Sequence, residues 1–510
     1  MRRHIPIVIL FLFIALVLGV SLRGRLGNLA HYDLLNPSWA EEGPFELSVE
    51  RGRFALTFSI VEDRSVTYSL PIARFATPDL GYRNGKYVSL FAPGFSFLII
   101  PGYLLGKLFG IAQIGTYAVV AVFALANTLL IYLISRHLSA HWAAAALAAL
   151  VFIFATPAFA YSVSLYQHHI STFLLLVSLY LLIKHSNFWS MAGFWLCFGI
   201  ALTVDYPNFF LFLPLLFLAL SRLVSVQIHK VSIDLVKGLA VVAVLPPLIL
   251  MGYFNLRSFG SPFQLAGTVS AVSAIDQNGL PAVPQSAINT SQDLAKFVNP
   301  DLQKKSVTRF FKSRNLLNGL YLHTISLDRG MVIFTPVVLF GVLGVYFLYK
   351  KDHPLLPILL GIVGVDLILY SLWGDPWGGW AFGSRYLIPS YAILAILLSV
   401  TLSQWRKNIL VMTLFFLVVT YSLGVNALGA LTTNSNPPQI EVLALEKVSG
   451  RQERYSFDRN WEFIKANRSK SFIYNLYFKN ILDAPWYFLI IWMSIAVVTW
   501  LYFVCLVRND

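Results

Sequence analysis

Apolar runs of about 17 to 22 residues recur along this 510-residue chain, separated by short polar connections. That is the length at which an α-helix crosses roughly 30 Å of hydrocarbon. Backbone N–H and C=O groups in lipid must be satisfied within the segment, so the runs predict helices. The short alternating strands of a membrane barrel are absent. The pattern predicts twelve spans, near residues 5–22, 114–135, 141–160, 171–184, 188–204, 207–221, 236–254, 331–349, 355–373, 386–403, 408–429 and 486–506. The fold class is all-α: a polytopic membrane protein of about 12 transmembrane helices. The first run follows the basic "MRRH" without a small-residue cleavage site, so it reads as a retained span that also targets the chain.

One further apolar run, "FAPGFSFLIIPGYLLGKLFG" (residues 91–110), is interrupted by two prolines and four glycines, a poor sequence for a uniform span. Charge parity decides how to count it. If it does not cross, "SRHLSAH", "KHSN", "SRLVSVQIHKVSIDLVK", "YKKDHP", "SQWRKN" and "VRND" all fall on the side of "MRRH". If it crosses, "YKK" and "WRK" move to the opposite side and break the positive-inside bias. Residues 91–110 are therefore expected to be re-entrant or interfacial, with both termini cytoplasmic. The extracytoplasmic face then receives two long loops, 23–112 and 255–330, a third at 430–485, and the connections "YSVSLYQHHIS", "DYPN" and "WGDPWGGWAFGSR". The first loop is rich in Phe, Leu and Tyr and is expected to pack on the membrane surface.

Composition agrees with this layout: 57% of residues are hydrophobic, 15% aromatic and only 12% charged, about half the charged share of soluble domains. The net charge of +14 would suggest nucleic acid in a soluble protein, but many of the basic residues are accounted for by topology, and no nucleic-acid partner is expected. Cys197 and Cys505 fall within spans, which gives neither a disulfide framework nor a thiolate metal site.

Within "VERGRFALTFSIVED" (Val49 to Asp63), Leu47, Phe54, Phe58 and Val61 follow helical spacing, with Leu56 and Ile60 opposite. This predicts a helix wedged between lipid or core on two faces, like an interfacial helix, and flanked by Glu50 and Arg51. Asn84-Gly85 marks a turn in "TPDLGYRNGKYVSLFAPG", which carries Asp79, Arg83 and Lys86 to the extracytoplasmic mouth. There a carboxylate can take a proton and a cation can pair with phosphate.

These segments carry a resemblance. "ERGRFALTFSIVED" followed by "YRNGKYVSLFAPGFSFLIIPGY" is similar to the first periplasmic loop of the GT-C superfamily of membrane glycosyltransferases, whose relatives include aminoarabinose transferases and protein O-mannosyltransferases. Many members read Asp-Glu-x-Arg-Tyr-Ala at the opening, which lays Glu50, Arg51, Arg53, Phe54 and Ala55 on the motif, with Glu where the leading acid is usually Asp. "TPAFAYSVSLYQHHISTFLLLVSLYLL", "ALTVDYPNFFLFLPL", "FGSPFQLAG", "LDRGMVIFTPVVL" and "WGGWAFGSRYLIP" resemble the same group in the same order, up to about residue 403. The resemblance implies a GT-C-like catalytic domain over residues 1–430, including the loops 23–112 and 255–330. An extracytoplasmic loop at 431–485 and a last span with a cytoplasmic tail at 486–510 follow.

The implied reaction moves a sugar, hexosyl or pentosyl with mannosyl among the candidates, from a polyprenyl-phosphate donor to an acceptor hydroxyl on the extracytoplasmic face, with inversion. Glycan, lipid or protein acceptors are all open, and membrane lipids surround the protein. Glu50 is the first candidate base and Asp79 the second, with Glu41, Glu42 and Glu46 nearby. Lys86 and Arg385 are candidates for the donor phosphate, since Arg pairs bidentately with phosphate. Arg53, Tyr82, His168, His169, Trp377, Trp380 and Tyr386 are candidate substrate contacts. No cofactor is expected; a divalent metal is not indicated, because adjacent His168 and His169 do not share a helical face. Asp205 and the Asp328-Arg329 pair read as structural, and Asp366 inside a span calls for an interhelical hydrogen bond. There is no Asp-x-Asp and no Gly-rich phosphate loop, which argues against nucleotide-sugar or ATP chemistry. The rivals are a lipid or polysaccharide transporter, whose polar groups would line the midplane, and an inactive lipid-binding relative.

Overall fold

The structure is a computed structural model that describes residues 5–39, 43–227, 230–282 and 310–508. Glu41 and Glu42, and residues 283–309 of the second long loop, lie outside the described residues. Helices dominate, and five of them, Ala112–His137, Leu235–Phe259, Arg385–Trp405, Ile409–Leu431 and Ala484–Arg508, are long and apolar enough to cross a membrane. Shorter apolar helices, among them Ile5–Ser21, His168–Lys184, Phe188–Val204 and Leu356–Ser371, coincide with other expected spans. The chain is a helical membrane protein.

After α1 (Ile5–Ser21), the first long loop folds into α2 (Ser48–Glu62), α3 (Leu70–Ala76), the strands β1 (Leu80–Arg83) and β2 (Lys86–Ser89), α4 (Gly94–Leu98) and α5 (Ile100–Leu108). β1 and β2 pair antiparallel across Asn84-Gly85, both with positive φ. That geometry is the two-residue hairpin turn favoured by the Asn-Gly pair. A third strand, β3 (Ala271–Val272), pairs with the other edge of β1, so the two long loops share one small sheet.

Of the two surroundings open to helix α2, lipid or core, the structure gives it the core. Phe54, Ala55, Leu56 and Phe58 are buried together with Glu50 and Thr57, and Ser96 Oγ of α4 donates to the Arg53 carbonyl at 2.8 Å. The helix is enclosed by protein on both of the faces that the sequence marks as apolar, which is why its polar residues point inward rather than to water. Residues 91–110 form α4 and α5, broken near Ile99, with Pro101 in the first turn of α5. Their glycines have a packing role. A Cβ on Gly102 or on Gly115 would collide with the carbonyl of the other, so α5 lies backbone to backbone on α6 (Ala112–His137).

The core is formed by α6, α7 (Trp142–Phe154), α8 (Ala158–Ser162), α9 (His168–Lys184) and the helix Ile388–Trp405. Every residue of α7 from Ala143 to Phe154 is buried; its alanine run lets neighbouring backbones approach closely, as small residues do where helices pack in membranes. Asp366 accepts from Ser390 N at 3.2 Å and from Ser390 Oγ at 2.6 Å, the bond between helices that its position requires.

Candidate functional site

Three connections position the site: the start of α2, the turn Val163–Gln167 between α8 and α9, and the short helical turn Arg385–Leu387. Helix α2 is anchored at its start, where Ser48 Oγ donates to Asp79 Oδ2 at 2.5 Å. Arg51 donates to the carbonyls of Phe45, Glu46, Phe75 and Thr77, tying the preceding loop and α3 to the helix. Glu50 and Arg53, one turn apart, then face inward on the same side.

Glu50 is fully buried. The Leu165 N–H donates to its Oε1 at 3.0 Å, while Oε2 has no hydrogen-bond partner among the described residues. Burial pushes the Glu50 carboxyl up to about 7; Arg23 works against this, the Glu46 carboxylate adds to it, and the Leu165 N–H and Lys470 oppose it.

Arg53 donates to the Leu165 carbonyl at 3.3 Å and to Gln167 Oε1. Its guanidinium lies over Phe91 at 4.8 Å, Phe95 at 5.4 Å and Tyr166 at 5.3 Å. Burial lowers its pKa to about 10, against the pull of Asp205, so it remains a cation at neutral pH. Gln167 Nε2 donates to Asp205 Oδ2 at 2.7 Å, which places Asp205 behind Arg53 as a second support.

Arg385 is buried, its Cζ 4.5 Å from the centroid of the Tyr166 ring and 5.4 Å from that of Tyr386. Nη2 donates to the Gly378 carbonyl at 2.6 Å and the Tyr386 hydroxyl lies against the guanidinium, but among the described residues Nε and Nη1 make no close hydrogen bond. The His168 ring stacks on Tyr166 with centroids 6.0 Å apart and meets Tyr386 edge-on at the same distance. Tyr166 Oη and His168 Nε2 are also without partners among the described residues. A buried polar group left unpaired costs about 1–3 kcal/mol, and folded proteins rarely leave several together. Here polar atoms of Arg385, Tyr166 and His168 without partners among the described residues gather around the Tyr166 ring, which also feels the Glu50 carboxylate.

A layer of charge lies behind Glu50. Glu46 pairs with Arg23 at 3.2 Å and with Lys470 at 3.4 Å, and accepts from Thr433 Oγ1 and Asn434 N, both at 2.8 Å. Burial alone would raise the Glu46 carboxyl, but Lys470, Arg23 and these two hydrogen bonds outweigh it and hold the pKa below its ordinary value. Asn434 Nδ2 donates to Ser164 Oγ at 2.7 Å, next to the Leu165 N–H that binds Glu50. Glu46 is thus a fixed anion, in contrast to Glu50.

Of the residues expected at the site, Glu50, Arg53, His168, Arg385 and Tyr386 converge. The others do not join them. Lys86 is exposed beside the hairpin turn and among the described residues makes no hydrogen bond or ion pair with the cluster. Tyr82 packs edge-on against Tyr87 at 5.0 Å. His169 faces the other way: its Nε2 meets the Ala158 carbonyl at 2.7 Å and its Nδ1 meets Asn127 Nδ2 at 3.3 Å. Trp380 Nε1 donates to Glu441 Oε2 at 2.8 Å, and the Trp377 carbonyl accepts from Arg329 Nε at 3.4 Å. Asp79 holds the start of α2 through Ser48. Asp328 and Arg329, paired at 2.7 Å and buried, clamp the segment around Trp377 and Gly379 to Asn436. Sequence reasoning missed Tyr166 and Gln167, although "SLYQHH" places an aromatic ring and an amide directly before the histidine pair.

No family model matches the chain, and no curated protein matches it. Among solved structures it is similar to ArnT from Cupriavidus metallidurans in the apo state, with 15% identity and a TM-score of 0.43 over 97% of this chain and 75% of that one. For ArnT bound to undecaprenyl phosphate the figures are 14% and 0.45, over 98% and 76%. For the archaeal oligosaccharyltransferase AglB from Archaeoglobus fulgidus, in complex with an inhibitory peptide and a dolichol-phosphate, they are 15% and 0.45, over 98% of this chain and 56% of that one.

Proposed function

We propose that this membrane protein is a glycosyltransferase of the GT-C kind, transferring a sugar from a polyprenyl-phosphate donor to an acceptor hydroxyl on the extracytoplasmic face. The observation that carries the reading is the buried Glu50 carboxyl next to Tyr166, with Arg385 and His168 packed on the same Tyr166 ring and their polar atoms without partners among the described residues. Glu50 Oε2 takes the proton of the acceptor hydroxyl as its oxygen attacks the anomeric carbon. A carboxyl poised near 7 exchanges a proton at neutral pH, as an effective general base must. The bond between the anomeric carbon and the phosphate oxygen breaks, and the electron pair leaves with the polyprenyl phosphate. Arg385 and Arg53 stabilise the charge that grows on that oxygen, in a site from which water is largely excluded. A single displacement without a covalent enzyme intermediate inverts the anomeric configuration.

Transfer by the purified protein from a panel of polyprenyl-phosphate sugars tests the assignment. Arg385→Gln is expected to lower turnover by about 10²- to 10³-fold, the cost of removing one preorganised donor at a developing charge. Lys86→Gln, at the exposed hairpin, is expected to leave it within a factor of about two. Equal activity in the wild type and Arg385→Gln would remove Arg385 from the phosphate site. The orientation of this face is tested separately with a cysteine at position 351, which should resist membrane-impermeant reagents added from outside.

A further inference from the structure

Arg329 and Arg385 are both buried, and a glycine turn lies between them. Arg329 pairs with Asp328 at 2.7 Å and turns its other donors onto backbone carbonyls. Nε donates to Trp377 at 3.4 Å, and Nη2 to Gly379 at 3.3 Å and to Asn436 at 3.0 Å. The Ala381 N–H donates to the same Asn436 carbonyl at 3.0 Å, which ties down the far end of the turn. Gly378, between the two carbonyls that Arg329 holds in the turn, faces the other way: its own carbonyl accepts from Arg385 Nη2 at 2.6 Å.

This division of carbonyls depends on the backbone of Gly378 and Gly379. Their φ values of 72° and 64° lie in the left-handed region open to glycine. The turn is closed by the Gly378 N–H on the Asp375 carbonyl at 3.1 Å and the Gly379 N–H on Asp375 Oδ2 at 2.6 Å. Space is equally restricted, since a Cβ on Gly378 would lie 3.0 Å from the Tyr386 ring and 3.2 Å from Arg385 Nε. The turn therefore cannot shift without disturbing two residues of the candidate site. A buried ion pair adds little stability by itself, because desolvation offsets the attraction. What a guanidinium offers is a rigid fork of donors that holds several carbonyls at fixed angles, where an ammonium is a point charge on a flexible stem.

From this we infer that Arg329 is a positioning residue for the donor-phosphate site: by holding the carbonyls of Trp377 and Gly379 it turns the Gly378 carbonyl onto Arg385 and fixes that guanidinium in place. The inference rests on the proposed transferase reading for the phosphate, while the relay between the two arginines can be measured without transfer. Protein in phosphatidylcholine nanodiscs is titrated with decaprenyl phosphate, and with decaprenol as the uncharged control. Arg329→Lys keeps the charge beside Asp328 but cannot span the carbonyls, and should weaken decaprenyl phosphate binding about tenfold in the otherwise wild-type chain. In an Arg385→Gln background the same substitution should change binding by less than about twofold, because residues that act through one contact are not additive. Merely structural damage would weaken binding equally in both backgrounds. That result overturns the inference, as does an Arg329→Lys protein that binds like the wild type. If Arg329→Lys does not fold, Gly378→Ala takes its place with the same expectation, since it leaves Arg329 intact and presses a Cβ against Arg385. Amide exchange separates this inference from the reading it rests on. A chain that does not prefer decaprenyl phosphate to decaprenol sinks the donor reading. The relay then stands if Arg329→Lys speeds exchange at residues 384–387 as well as at 375–381, and falls if the 384–387 amides are unaffected.

Discussion

Glu50→Gln is expected to abolish most sugar transfer, lowering turnover by about 10²- to 10⁴-fold, the usual contribution of a positioned general base. The substitution keeps the side chain's volume and can still accept the Leu165 N–H, which is 3.0 Å from Oε1 in the wild type. It removes only the group that takes the proton. The wild type should in turn show transfer that rises with pH through about 7, where the Glu50 carboxyl ionises, with an ascending limb that disappears in the variant. Stability gives an independent control with the opposite sign. The folded-state pKa of this acid is raised above its unfolded value, so its contribution is fully present below the unfolded pKa of about 4.5 and is lost as pH rises through about 7. Glu50→Gln should therefore be at least as stable as the wild type at pH 8. A variant that is inactive and also less stable at pH 8 would point to misfolding, and one that keeps its transfer and its ascending limb would move the base to another residue.

The helical architecture was legible because it rests on local chemistry: runs of apolar residues long enough for a bilayer, basic connections, and an Asn-Gly turn whose two positive φ values need those residue types. The burial of α2 was not. Phe54 and Phe58 on one face and Leu56 and Ile60 on the other read equally well as a helix in a lipid interface and as one packed inside a protein, and only long-range contacts such as Ser96 to the Arg53 carbonyl decide between them. The candidate site divides in the same way. Glu50, Arg53 and Arg385 stood out as charges in an apolar chain. Tyr166 carries no charge, and its importance comes from two arginines that approach it from positions 113 residues before and 219 residues after it in the sequence. Lys86 shows the converse: a cation beside a turn draws the eye in sequence, and at the tip of the hairpin it projects into solvent.

The largest stability effect is expected not at Glu50 but at its neighbour Glu46. Glu46→Ala would leave Arg23, fully buried, and the nearly buried Lys470 facing each other without their shared anion. Removing one partner of a buried ion pair typically costs about 3–5 kcal/mol because the remaining charge is uncompensated. Arg454→Ala, which breaks an exposed pair with Glu462, should cost less than about 1 kcal/mol. The thermal midpoints of the two variants in one detergent measure the contrast. Replacing both partners, as in Arg23→Met/Glu46→Leu, should recover part of the loss, since an apolar pair needs no desolvated charge to be balanced. The same cluster also sets the Glu50 carboxyl, so milder changes should tune catalysis. In Glu46→Gln the anion that raises Glu50 is gone while Arg23 and Lys470 remain, and the ascending limb of transfer should move to lower pH. A limb that stays near 7 in a folded Glu46→Gln protein would show that these charges serve only to hold together the chain segments around Arg23, Glu46, Asn434 and Lys470, and that the proton affinity of Glu50 is fixed by its burial alone.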